Sequence, residues 1–118
     1  MSTIPTRIYQ TIVELVGLPS TSGHEEHVRA YLEQRLARLG LTSQVDAAGN
    51  LIATLPGEGS PILLNAHMDR VPPGLAHTPV LREGVLYSDG TTNLGADDAA
   101  GLAVVLEILT RVVEERLP

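Results

Sequence analysis

The sequence predicts an α/β fold, because segments with apolar residues at helical spacing alternate with short apolar runs typical of strands. Its 118 residues are the length of one domain. At this length folding removes roughly two-thirds of the unfolded chain's surface from water, which allows a modest core. Because Phe, Trp and Cys are absent, Leu, Val, Ile and Ala must supply that core.

Two helices are predicted in the first forty residues. Apolar residues at helical spacing predict the first helix from about Thr3 to Gly17, and a following Leu-Pro pair ends it. The segment Ser22–Glu25 has the pattern of a capping box and is predicted to open the second helix. Gly40 is a typical residue at which such a helix ends.

Short strands follow in the middle of the chain. Thr42–Asp46 and Asn50–Leu55 are predicted to form a hairpin around a glycine-containing turn. The continuous apolar run within Ile62–Ala66 predicts a central strand that is buried on both faces. Val80–Arg82 and Val85–Tyr87, separated by Glu-Gly, predict a second hairpin.

A long helix is predicted from about Asp97 to the end of the chain. Its apolar side chains share one face, which we expect to pack on the sheet: Leu102, Val105, Leu106, Leu109 and Val113. Gly101 is expected to let this helix approach a strand closely.

Composition excludes several classes of function. Without Cys the chain has no disulfide framework, zinc ribbon, iron–sulfur cluster or thiol nucleophile. All eight basic residues are Arg, so Walker-type phosphate loops and lysine Schiff bases are excluded. A net charge of −6 and the lack of a basic cluster argue against nucleic acid as a partner. No apolar stretch is long enough to span a membrane, and a cytoplasmic protein is expected.

His67 and Asp69 form the first candidate site, directly after the predicted buried strand. Ligands of α/β sheets gather beyond the carboxyl ends of such strands. An imidazole there can bind a metal while a nearby carboxylate orients the ring. The alternative is a surface loop whose His and Asp are only solvated.

Asp97 and Asp98 form the second candidate site, at the start of the last helix. Asp is a common N-cap residue, so two acids in a first turn require no ligand. A carboxylate at this position also stays ionised and can bridge two cations. Gly95, just before the pair, allows a tight backbone turn.

Other histidines and hydroxyl groups are weaker candidates. The spacing of His24 and His27 does not fit a zinc-protease helix, and both are expected in an exposed first turn. His77 is expected at the surface near the site entrance. Hydroxyl residues such as Ser88 have no base at a recognisable spacing, so a serine hydrolase is unsupported.

Two longer segments carry a family resemblance. Leu63–Gly74 includes the run Asn-Ala-His-Met-Asp, and Ser88–Gly101 includes Gly-Ala-Asp-Asp. Together they resemble the dinuclear zinc peptidases related to tripeptidase (peptidase T). That superfamily also contains carboxypeptidase G-type enzymes and the acetylornithine and succinyl-diaminopimelate deacylases. The resemblance covers essentially the whole chain.

The resemblance implies a three-layer α/β/α catalytic domain and a role for each site residue. His67 would bind one metal, Asp97 would bridge two zinc ions, and Asp69 would be the catalytic residue that orients the imidazole of His67. Cobalt or manganese could replace zinc, and the substrate would be a short peptide. The family's bridging Asp is followed by a cis peptide bond, here Asp97–Asp98. Ala99 stands where this pattern usually has Lys.

The resemblance also implies that residues 1–118 are the N-terminal portion of one catalytic domain, truncated before the later core strands. The family's general base is the first residue of a Glu-Glu pair after a further strand, and Glu114-Glu115 lie inside a helix pattern instead. We therefore expect the isolated chain to be inactive, and exposed apolar edges to favour a homo-oligomer. The alternatives are a non-catalytic scaffold and a weak divalent-cation-binding module.

Overall fold

The computed structural model describes residues 4–72 and 77–118. Its helices are α1 (Ile4–Val16), α2 (Glu26–Arg38) and α3 (Ala96–Glu115). The predicted α/β composition is confirmed, although the predicted start of α1 at Thr3 lies outside the described residues. Within the described ranges, no helix has the length and apolar character that crossing a bilayer requires.

Helix α2 ends as its sequence predicts but begins differently. Gly40 has φ +80°, its N–H donates to Ala37 O (2.9 Å), and Leu41 N–H donates to Leu36 O (3.0 Å). This pair of hydrogen bonds is a Schellman motif, which suits a glycine in the left-handed conformation. The predicted capping box is wrong: α2 begins at Glu26, and no side chain caps its first turn.

The two predicted hairpins are confirmed. Strands β1 (Ser43–Val45) and β2 (Leu51–Ala53) pair antiparallel, as do β3 (Pro79–Arg82) and β4 (Val85–Ser88). The second turn places Glu83 and Gly84 at φ 52° and 78°. Positive φ values at both central residues match the twist of a two-residue hairpin.

The prediction of a central strand at Ile62–Ala66 is wrong. Neither hairpin pairs with it, and residues 62–69 belong to no strand in the described part of the chain. Ile62 and Leu63 are 85% and 86% exposed, so this run is not buried. A central strand needs backbone partners on both edges and packed layers on both faces, and the described residues supply neither here.

The apolar core lies between the three helices. Helix α3 packs chiefly against α1, and the core also includes the buried face of α2. The buried apolar residues that form one cluster are Leu15, Val16, Val28, Leu32, Leu36, Leu41, Ala99, Leu102 and Leu106. The expectation that the α3 stripe packs on a sheet is therefore wrong, because helices cover it.

A bidentate ion pair joins α1 to α3 beside this core. Arg7 Nε and Nη2 donate to Glu107 Oε1 and Oε2 at 2.8 and 2.5 Å, and Glu107 is only 7% exposed. The hydrogen bonds from Arg7 lower the pKa of Glu107, although burial opposes the shift. A lowered folded-state pKa stabilises the protein above the ordinary glutamate value of about 4.3, and that stability is lost as pH falls.

We therefore expect Glu107→Gln to lower the free energy of unfolding by about 1–2 kcal/mol at pH 7. The difference from wild type should shrink as pH falls below about 4, where Glu107 begins to be protonated in the unfolded state, and disappear once pH lies below the lowered pKa of the folded state. Urea denaturation at several pH values measures this. Glu115→Gln is the control, because the Arg111–Glu115 pair is nearly half exposed and should contribute at most about 0.5 kcal/mol. A pH-independent difference would contradict the assignment.

Candidate metal centre

His67 lies between the carboxylate of Asp69, its near neighbour in sequence, and the carboxylate of Asp97 at the start of α3. Its Nδ1 is 3.1 Å from Asp69 Oδ1 and 3.0 Å from the main-chain oxygen of Asp69. Its Nε2 is 3.0 Å from Asp97 Oδ1. The structure thus brings together three of the four candidate residues, His67, Asp69 and Asp97, across a separation of thirty residues. The ring is about half exposed, so a ligand can reach it.

The start of α3 presents Asp97 to this ring. Gly95 has φ +80°, as expected for a tight turn, and a Cβ there would lie 2.9 Å from Arg70 Cδ. Asp97 has non-helical dihedral angles and a side chain that is 95% exposed. The Asp97–Asp98 peptide bond is cis, as the resemblance implied.

The Asp98 side chain contacts the backbone of α3, whereas that of Asp97 contacts His67. Its Oδ1 accepts a hydrogen bond from the N–H of Gly101 (3.0 Å), which is an N-cap contact at the start of the regular helix. A Cβ on Gly101 would collide with this carboxylate, because it would lie 2.6 Å from Asp98 Cγ. Gly101 therefore makes room for Asp98, and the expected close approach to a strand is wrong. The N-cap interpretation therefore applies to Asp98, and metal binding by Asp97 stays a prediction.

Charge around the ring favours a cation. Partial burial lowers the pKa of His67, but the hydrogen bond to Asp97 and the contacts with Asp69 outweigh it, so its pKa lies above the ordinary value. The pKa of Asp69 is lowered, first by the hydrogen bond from Ser22 and, against the effect of burial, by the charge of His67. Nδ1 faces two acceptor atoms of Asp69 and Nε2 faces Asp97 Oδ1, so each ring nitrogen lies beside an acceptor. With Nδ1 hydrogen-bonded to Asp69, a neutral ring would offer Nε2 to a metal.

The donor atoms fit a transition-metal ion in type and placement. His nitrogen and Asp oxygen are ordinary zinc ligands, and bond lengths of about 2.0–2.1 Å separate two ligands of one tetrahedral zinc by about 3.3 Å. The 3.0 Å between His67 Nε2 and Asp97 Oδ1 is close to this value. Asp69 contacts the other ring nitrogen, as carboxylates behind metal-bound histidines do. Among the described residues, no group of three potential ligands converges on one point.

The other histidines do not join this site. His24 and His27 are exposed near the start of α2, as predicted. The prediction of a surface position for His77 is wrong, because it is 5% exposed. The ring Nδ1 of His77 lies 2.6 Å from Asn93 O, and the main-chain N–H of His77 donates to Val16 O (2.9 Å). His77 therefore ties the loop before α3 to the end of α1.

Sequence reasoning missed the residues that support the site from behind. Ser22 Oγ donates to Asp69 Oδ2 (2.6 Å), and the buried Ser20 Oγ donates to Met68 O (2.7 Å). Arg70 is 5% exposed, its Nη2 donates to Leu18 O, and its Nη1 has no partner among the described residues. The only sequence signal for Ser22 was the capping-box pattern, which pointed to a different role.

A comparison with known protein families identifies the family of this chain. Residues 50–118 match the profile of peptidase family M28. The chain therefore belongs to peptidase family M28, a class of hydrolases. Two residues of the resembling segments, Pro73 and Gly74, lie outside the described part of the structure.

The chain is also similar to individual proteins and solved structures. It is similar to a tripeptidase from Staphylococcus aureus subsp. aureus Mu50 (36% identity, TM-score 0.83) and to aminopeptidase PepT from Bacillus cereus ATCC 10987 (33%, TM-score 0.86); each match covers 97% of this chain and 34% of the solved one. It is also 37% identical to the uncharacterized protein YqjE of Bacillus subtilis (strain 168), over 94% of this chain and 33% of that protein. The chain thus spans about a third of these relatives, and its resemblance to tripeptidase-type enzymes is confirmed.

Proposed function

We propose that this chain carries part of the active site of a zinc-dependent peptidase that hydrolyses short peptides. In this proposal His67 and Asp97 bind zinc, and Asp69 is the residue that orients His67. The observation that supports it most is the His67 ring, held through both nitrogens between Asp69 and Asp97 at 3.1 and 3.0 Å. Family membership supports peptide hydrolysis as the reaction.

The proposed roles of Asp69, His67 and Asp97 follow from their positions. Asp69 accepts a hydrogen bond from Nδ1–H of His67 and so directs Nε2 to the same point as Asp97 Oδ1. Zinc, when bound, polarises a carbonyl group and lowers the pKa of a bound water. Glu114 and Glu115 lie within α3 and so do not supply the general-base pair that the resemblance implies. We propose that other parts of the whole protein supply it.

A second candidate function follows from the number of ligands. Within residues 4–72 and 77–118, only one imidazole and one carboxylate converge on the candidate metal position. A catalytic zinc typically has three protein ligands and a water. On its own, this chain would then be a weak divalent-cation-binding module, with cobalt or manganese as further candidates. A cytoplasmic location remains a prediction.

A zinc titration of the 118-residue chain, followed by NMR of the histidine rings, tests the site. We expect zinc to shift the His67 signals before those of the other histidines. His67→Ala and Asp97→Ala should each weaken zinc binding at least about tenfold, since each removes one of two converging ligands. The His67 side chain is about half exposed and that of Asp97 almost fully exposed, so the fold should remain intact.

His27→Ala is the matched control, because His27 is exposed on α2 and contacts neither carboxylate of the site. It should bind zinc as the wild type does. Equal zinc affinities for the His27 and His67 variants would refute the proposed metal centre, since binding would then be nonspecific.

A further inference from the structure

Ser22 contacts the candidate metal centre from behind. Its hydroxyl donates to Asp69 Oδ2 at 2.6 Å, while the other oxygen of the same carboxylate, Oδ1, faces His67 Nδ1 at 3.1 Å. The two oxygens of Asp69 therefore have separate partners. A chain of contacts runs from Ser22 through Asp69 and His67 to Asp97.

The backbone holds Ser22 in this place. Residues 20–22 run beside residues 68–70: Arg70 N–H donates to Ser20 O (2.7 Å), and Thr21 and Arg70 form a parallel bridge. Ser20 is 2% exposed, and its hydroxyl donates to Met68 O (2.7 Å). Three contacts thus fix the segment on both sides of Asp69, so the Ser22 hydroxyl arrives at Oδ2 from an ordered position.

The Ser22 hydroxyl does not cap helix α2. An N-cap residue stands directly before the first helical residue, whereas Ser22 lies four residues before α2, which begins without a side-chain cap. The hydroxyl is directed at Asp69 instead. An Asp carboxylate turns readily about its last torsion, whose energy profile is broad. A donor on Oδ2 keeps Oδ1 toward the imidazole.

We infer that Ser22 is a positioning residue for the metal centre: it fixes the Asp69 carboxylate, which in turn aligns His67 for the metal. This inference rests on the proposed zinc site and adds to it a residue that contacts no metal ligand directly. Groups one contact away from a ligand typically change metal affinity about 10–100-fold when removed. Ser22 is one step further, so a smaller effect is expected.

The zinc titration of the full 118-residue chain tests this with three variants. Ser22→Ala should weaken zinc binding at His67 by about three- to tenfold. Ser22→Thr keeps the hydroxyl and should bind within about twofold of wild type. Ser60→Ala removes an exposed hydroxyl in the loop after β2 and should have no effect. Melting curves recorded alongside show that each variant is folded.

A double-mutant cycle separates positioning from a general structural effect. If Ser22 acts through Asp69, Ser22→Ala should cause no further loss in an Asp69→Ala background. Wild-type affinity in Ser22→Ala, no recovery in Ser22→Thr, or an equal loss in the Asp69→Ala background would each overturn the inference while leaving the zinc site in place. Zinc binding that His67→Ala does not weaken would overturn the proposed function and, with it, this role of Ser22.

Discussion

The Leu106→Asp variant is expected to lose about 3–5 kcal/mol of its free energy of unfolding. Leu106 is 3% exposed and lies in the core among the three helices. A carboxylate there loses its hydration and has no cationic partner in the apolar cluster, which is among the most destabilising single changes. Urea denaturation followed by circular dichroism measures the loss. Since domains of this size are only marginally stable, much of the variant should be unfolded in buffer.

Val104→Asp is the matched control on the same helix. Val104 is 48% exposed, so the new carboxylate stays hydrated, and a change within about 0.5 kcal/mol is expected. If Leu106→Asp and Val104→Asp unfolded at the same urea concentration, α3 would not pack through the face that carries Leu106.

Elements that depend on local sequence were predictable. Helical spacing of apolar residues identified α1, α2 and α3, because burial of one face imposes the 3.6-residue period. Gly40 and the Glu83-Gly84 turn were recognisable since few residues adopt positive φ at low cost. Each signal lies within a few residues of the structure that it predicts.

Features that depend on distant partners were not predictable in the same way. The apolar run Ile62–Ala66 has the composition of a buried strand, but burial is decided by neighbouring strands, and the described residues provide none. Ser22 fitted a capping box, yet its hydroxyl contacts Asp69, forty-seven residues away. A local pattern cannot show which of two acceptors a hydroxyl will use.

The candidate site shows both situations. His67, Asp69 and Asp97 were identified from their places beside predicted elements and from the family resemblance, and the structure brings them together. The different contacts of Asp97 and Asp98 could not be predicted from the sequence, because they depend on dihedral angles at the start of α3. Arg70 and His77 were missed or misplaced, since their burial arises from packing between segments far apart in sequence.

The isolated 118-residue chain is expected to show no turnover of di- or tripeptides in the presence of zinc, cobalt or manganese. His67 and Asp97 are two ligands on separate segments, fewer than a catalytic zinc typically has. No carboxylate among the described residues lies beside them to take a proton from water, because Asp69 is committed to His67 and Ser22. An ordinary enzyme turns over about 10 times per second, so a peptide-release assay would readily detect residual activity.

Turnover in that assay would be informative only if it depended on this site. Rates that persist in both His67→Ala and Asp97→Ala would indicate a contaminant or the free metal ion. Rates that both substitutions abolish would contradict the prediction and show that further ligands reach His67 Nε2 and Asp97 Oδ1 from elsewhere. A second copy of the chain is one source, since the exposed Ile62 and Leu63 offer an apolar surface for association. Activity that rises with the square of protein concentration would then distinguish a shared site from a site completed within one chain.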